Sequence, residues 1–177
     1  FLKNGHQVTV VTAHDVERSL KNYKGIEIVE FKAKGGPLLS NFYRGDVFKY
    51  LSFLNKAMDE YDLIFFHGWQ IWTTDLFLLV NKNKALVKTI LVSHCAPVSS
   101  WMTFAESLRT ILLLPYKMIM MPILIKKFDE LVFLSDQVEG DRQWDYRFSL
   151  KKHVSHFALN LQEFHISSYV FVTAIAL

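Results

Sequence analysis

Short runs of apolar and β-branched residues, each separated from the next by a segment long enough for a crossover, recur along this chain without a hairpin signal between them. The runs are Val8 to Thr12, Ile26 to Phe31, Leu63 to Phe66, Val87 to Val92 and Leu131 to Leu134. Between them, Val47, Tyr50, Leu51, Leu54 and Met58 repeat at helical spacing, Thr74 to Val80 begins another helix, and Phe104 to Phe128 is a long helical stretch. Pro115 and Pro122 should kink or split that stretch, since proline removes a backbone donor and crowds the preceding turn. Two parallel strands cannot be joined by a tight turn, so this alternation implies a parallel sheet with right-handed crossovers. The expected fold class is α/β, a Rossmann-like parallel sheet with helices on both faces. Ile26 to Phe31 alternates with Glu27 and Glu30 and belongs near a sheet edge, whereas Lys32 to Tyr43, with Gly35-Gly36-Pro37, reads as a loop. Ser135 or Asp136 can cap a helix after the fifth run.

At 177 residues, 51% of them hydrophobic, the chain can bury the core of one such domain and is too apolar for disorder. Its net charge of +3 is mild, and the excess lies in the second half, at Lys117, Lys126, Lys127, Arg142, Arg147, Lys151 and Lys152. Solvated helix faces account for most such lysines. No nucleic-acid partner is expected, and peripheral contact with an anionic membrane is compatible with the pattern. Cys95 is the single cysteine, so neither an internal disulfide nor a Cys-rich zinc cluster forms within this chain, and a cytoplasmic location is expected. Membrane contact would then be at the inner face. The most apolar run, Ile111 to Ile125, is interrupted by Pro115, Lys117 and Pro122 and falls short of the roughly 20 apolar residues of a spanning helix. It reads as a broken helix, buried or interfacial.

Phe1 to His6 reads as the last turn of a helix closed by Gly5, and Tyr169 to Leu177 as a further β-rich run. The expected division is a first domain over residues 1–165, lacking its first strand and helix, and the opening strand of a second over 166–177.

Ligands of open parallel sheets bind beyond the carboxyl ends of the strands. Here those ends are polar: Thr12 leading to His14, His67-Gly68, Ser93-His94, and Ser135. Any single strand end meets solvent and is polar for that reason alone; four hydroxyl- or imidazole-bearing ends on one rim are a stronger indication. Imidazole can donate, accept or shuttle a proton, which suits sugar hydroxyls or a leaving phosphate, and Gly68 permits close approach of backbone or ligand. His94 and Cys95 are neighbours on an extended chain and point apart, so they make no nucleophile pair. His67 and His94 lack a third ligand at metal spacing, so no metal is expected. Neither a Walker-type phosphate loop nor a GxGxxG fingerprint occurs. Trp69, Trp72 and Trp101 follow the His67 and His94 strand ends and suit either sugar stacking or core packing.

Leu2-Lys3-Asn4-Gly5-His6-Gln7-Val8-Thr9-Val10-Val11-Thr12 resembles the L-x-x-x-G-H-x-V-x-V-x-T signature of the family 4, glycogen synthase-like glycosyltransferases of GT-B fold. Tyr61 to Gly68 is similar to that family's Y-D strand ending in histidine, Thr89 to His94 to its next strand, and Phe128 to Ser135 to its A-D strand ending in serine. Ala158 to Phe164 fits only the tail of the family's domain-closing motif, whose Asn-Gly is missing. The resemblance runs over nearly the whole chain. It implies a metal-independent, retaining transfer from a nucleotide-sugar donor to an acceptor hydroxyl, on a sugar or a lipid-linked molecule, with no bound cofactor. It implies His94 as the catalytic cleft residue contacting the donor sugar, with His67 and Ser135 nearer the acceptor; Gly68 and Thr12 belong to the same substrate-binding rim. Residues 1–165 would be the acceptor-side half, and 166–177 the start of the domain that holds most of the donor, so the isolated chain is expected to be inactive. Another GT-B chemistry, such as nucleotide-sugar epimerisation or hydrolysis, and a non-catalytic Rossmann-like binding module are the alternatives.

Overall fold

A computed structural model describes residues 5–16, 22–36, 42–81, 87–93, 111–133, 154–156 and 168–172. Its centre is an eight-stranded sheet in the order β2-β3-β1-β10-β6-β7-β8-β9. The strands are β1 (Gln7–Ala13), β2 (Asn22–Tyr23), β3 (Ile26–Phe31), β6 (Leu63–His67), β7 (Lys88–Ser93), β8 (Glu130–Phe133), β9 (Val154–His156) and β10 (Ser168–Val172). Every pairing is parallel except that of β2 with β3. The chain is therefore a mixed α/β protein built on a parallel sheet, with each of the five expected runs in place as a strand.

The antiparallel β2–β3 hairpin departs from the expectation that no hairpin occurs. Lys24 and Gly25 both take positive φ, 51° and 90°, which is the geometry of the two-residue turn that matches strand twist, and the Gly25 N–H donates to Asn22 Oδ1 at 3.1 Å. A second departure lies in the expected loop, where β4 (Ala33–Lys34) pairs antiparallel with β5 (Arg44–Gly45). The two halves meet so closely that a Cβ on Gly45 would stand 1.9 Å from the Lys32 carbonyl oxygen.

Residues 166–177 were expected to open a second domain. β10 instead lies in the middle of the one large sheet, with Val11 of β1 and Phe66 of β6 both opposite Val172. A run such as Tyr169-Val170-Phe171-Val172 suits a strand paired on both edges, because only an interior slot satisfies both rows of its backbone groups.

Alternation along the strands divides the core between the two sheet faces. On one face Val11, Phe31, Ile64, Phe66, Leu91 and Leu131 pack with the helices; Val8, Leu63, Phe65, Ile90, Val92 and Val132 form the buried layer of the other. Helix α1 (Val47–Glu60) buries Tyr50, Leu54, Ala57 and Met58 against the first face. The turn after β6 becomes α2 (Trp72–Asp75) and tightens into a 3-10 turn, Leu76–Leu79. Residues 111–115 are helical and pass through a π-helical stretch, Tyr116–Met120, into α3 (Met121–Lys127). Pro115 caps the π stretch and Pro122 stands at the start of α3, so the helix changes pitch between its prolines and continues. Phe66, Phe77 and Phe128 join β6, the 3-10 turn and the end of α3, with ring centroids 4.8 to 5.2 Å apart. The described helices all contribute to that first face, and the expected helical cover of the second lies outside the described residues. The outer surface of residues 111–127 exposes Ile111, Leu114, Met118 and Ile119, yet no helix among the described residues is long and apolar enough to cross a membrane.

Candidate functional site

From β10 the order runs to β1, β3 and the hairpin strand β2 on one side and to β6, β7, β8 and β9 on the other, so among the parallel strands it rises outward in both directions. In open parallel sheets the crevice for ligands opens at the carboxyl edge where strand order reverses. That reversal spans β1, β10 and β6. Thr12 and His67 stand at the carboxyl ends of the two flanking strands, one residue beyond the Val11–Val172–Phe66 row. Thr12 lies opposite Glu30 and His67 opposite Val92, which places both on the face that carries Val8 and Phe65. Thr12 is 4% exposed, and His67 is half-buried.

Gly68 continues the β6 ladder by donating its N–H to the Val92 carbonyl at 2.9 Å, then turns away with φ 83°. A side chain is disfavoured there by backbone conformation more than by space, since a Cβ would meet only Ile71 Cδ1 at 3.7 Å. His94 and Ser135 lie outside the described residues. Their immediate neighbourhood does not: β6, β7 and β8 are adjacent and parallel, and Ser93 pairs with Phe133 at the same edge. Trp69 is buried, and its indole N–H donates to Ser93 Oγ at 3.0 Å, so it ties the turn after β6 to the end of β7. Trp72 is buried against Tyr50 and Phe31, and of the two uses open to it, core packing is the one it serves. Trp101 lies outside the described residues.

Above this edge sits a carboxylate hub that strand-end reasoning missed. Asp75, 2% exposed, accepts hydrogen bonds from Tyr43, which follows the β4 turn, and from Tyr116 at 2.5 Å. The Tyr116 hydroxyl in turn accepts the Gln70 N–H at 3.1 Å, and Tyr50 donates to the Thr73 carbonyl at 2.7 Å. Segments following β4, β6 and β7 are thus gathered around one carboxyl group. Burial raises the Asp75 pKa to about 6, against the lowering effect of hydrogen bonds from Tyr116, Tyr43 and the Gln70 backbone. Burial and the neighbouring Asp75 charge raise both phenols, which stay neutral donors. Gln70 is held at φ 60°, a left-handed conformation uncommon for a residue with a side chain, and its N–H bond to Tyr116 is part of what fixes it. Three buried side-chain atoms of this turn, Gln70 Nε2, Thr73 Oγ1 and Thr74 Oγ1, have no hydrogen-bond partner. Among the described residues no group of histidine, cysteine or carboxylate side chains is arranged to hold a metal.

No family model, no curated protein and no solved structure gives a significant match to the chain. The geometry of the rim therefore carries the functional argument, together with the motif resemblance. The hub had one faint sequence signal, an aspartate in the otherwise uncharged run from Gly68 to Val80. Nothing local marks Tyr43 and Tyr116 as its partners, because they lie 32 and 41 positions away.

Proposed function

We propose that this chain forms the acceptor side of a retaining glycosyltransferase, a Rossmann-like half of a GT-B enzyme that moves a sugar from a nucleotide donor to an acceptor hydroxyl. The observation that carries the reading is the placement of Thr12 and His67 on one sheet face, flanking the reversal of strand order. A polyol needs several donors and acceptors from different directions, and separate strand ends supply them without mutual interference.

In this reading His94, one residue beyond the end of β7, faces the donor sugar, while His67, Gly68, Thr12 and Ser135 border the acceptor. The donor nucleotide is held mostly by a second domain that closes over this one. The test is incubation of the full-length protein with nucleotide-sugar donors and acceptor mixtures, followed by detection of a new glycosidic product. His94→Ala is expected to reduce transfer at least about 100-fold, on the scale of removing a group that acts in the transition state, with unchanged thermal unfolding. Undiminished transfer would remove His94 from the reaction. A donor altered without any glycoside formed would favour the epimerase or hydrolase alternative, and no donor binding at all would favour a non-catalytic module.

A further inference from the structure

The rim holds a second imidazole with a carboxylate partner. His14 follows β1, and its backbone N–H donates to the Phe31 carbonyl at 2.9 Å, which extends the β1–β3 ladder by one step. Its ring Nδ1 lies 3.1 Å from Glu30 Oε2. Glu30 is opposite Thr12, so His14, Glu30, Thr12 and His67 share one face of the sheet by strand alternation. The pair is neither a loose surface contact nor a sealed core pair: the histidine side chain is 35% exposed and the glutamate 16%. Among the described residues the His14 ring makes no other hydrogen bond.

We propose that His14 and Glu30 form a hydroxyl-binding element for a saccharide, in which Glu30 accepts the Nδ1–H and the Nε2 lone pair accepts a hydrogen bond from a sugar hydroxyl. A carboxylate on one ring nitrogen selects the tautomer, and the other nitrogen becomes the acceptor. The backbone ladder and the buried side of Glu30 hold the ring in advance, so little rotational freedom is lost when a ligand arrives. His14 and His67 stand two strands apart on either side of β10, at roughly 12 Å between their Cα atoms from strand spacing and rise. A gap of that width suits a pyranose ring with its hydroxyl groups. Glu30 acts through His14 and is a positioning residue. The inference rests on the saccharide reading above and needs neither a donor nor a transfer step.

The experiment is long-range proton–nitrogen correlation NMR on the full chain labelled at histidine nitrogen, at a pH where the imidazole is neutral. His14 is assigned by loss of its signals in His14→Gln. The expected spectrum shows His14 with hydrogen on Nδ1, and Glu30→Ala should move the population toward the Nε2–H form. Titration with methyl α-glucoside, and with methyl α-mannoside as a second probe, should shift the His14 Nε2 resonance, with apparent affinity weakened at least five-fold in Glu30→Ala. An Nε2–H tautomer in the unmodified chain, or a resonance unmoved by both glycosides at several hundred millimolar, overturns the proposal. Since no donor is present, absence of transferase activity in the full-length protein would strike the proposed reaction alone and leave this result standing.

Discussion

Replacing Asp75 by asparagine tests the carboxylate hub through the pH dependence of stability. Burial dominates at Asp75 and raises its pKa from the ordinary 3.8 to about 6, although Tyr116, Tyr43 and the Gln70 backbone all favour the ionised form. In the interval between those values the folded chain keeps a proton that the unfolded chain has released. The stabilisation associated with that proton is fully present below pH 3.8 and is lost as pH rises through about 6. At ~1.4 kcal/mol per pH unit the whole displacement is worth about 3 kcal/mol, of which about 2 kcal/mol falls between about pH 4.5 and about pH 7.

Asparagine has nearly the same shape but does not titrate. Urea unfolding of both proteins at the two pH values cancels the contributions of every other group, and the parent chain should lose about 2 kcal/mol relative to Asp75→Asn on going from the lower to the higher. A difference between the proteins that stays constant with pH would show that burial and the phenolic hydrogen bonds balance. A difference of opposite sign would mean that the phenols outweigh burial and hold the carboxyl ionised, which would overturn the raised pKa of Asp75. Asp75→Ala separates the hydrogen bonds from the titration: it strands two phenols at every pH, and a loss of about 2–5 kcal/mol is expected.

Phe66→Ala empties the centre of the ring cluster with Phe77 and Phe128 and should cost about 3–5 kcal/mol by chemical denaturation, with the denaturant slope unchanged. Gly45→Ala combines φ 91° with a Cβ 1.9 Å from the Lys32 oxygen; either β4 and β5 separate or the chain is destabilised by at least about 1–3 kcal/mol, read as a lowered unfolding midpoint. Unchanged stability in that variant would mean that the β4–β5 turn is free to open without cost.

Parallel strands buried on both faces are continuous apolar runs, and such runs are visible before any contact is known. Leu63–Phe66 accordingly lies within β6, which extends to His67, and Val87–Val92 is displaced by one residue in β7, while Ile26–Phe31 keeps its expected bounds as a half-buried strand beside the β2 hairpin. The same argument located Thr12 and His67 at the carboxyl edge of the sheet, because each follows an apolar run at the point where the sequence turns polar. The position of β10 carries no comparable signal: a short apolar run states that it is a strand but not which neighbours it takes, and pairing with both β1 and β6 decides that only in three dimensions. Lys24-Gly25 lacked the usual asparagine or aspartate of a two-residue hairpin turn, so lysine at positive φ hid the turn. The hub and the His14–Glu30 pair were hidden for a related reason. Their partners are remote in sequence, and each residue taken alone is an ordinary tyrosine, acid or histidine. Sequence periodicity therefore locates the edge on which a parallel sheet presents its chemistry, whereas the groups that fix the geometry of that edge emerge from the crossovers that bring distant segments above it.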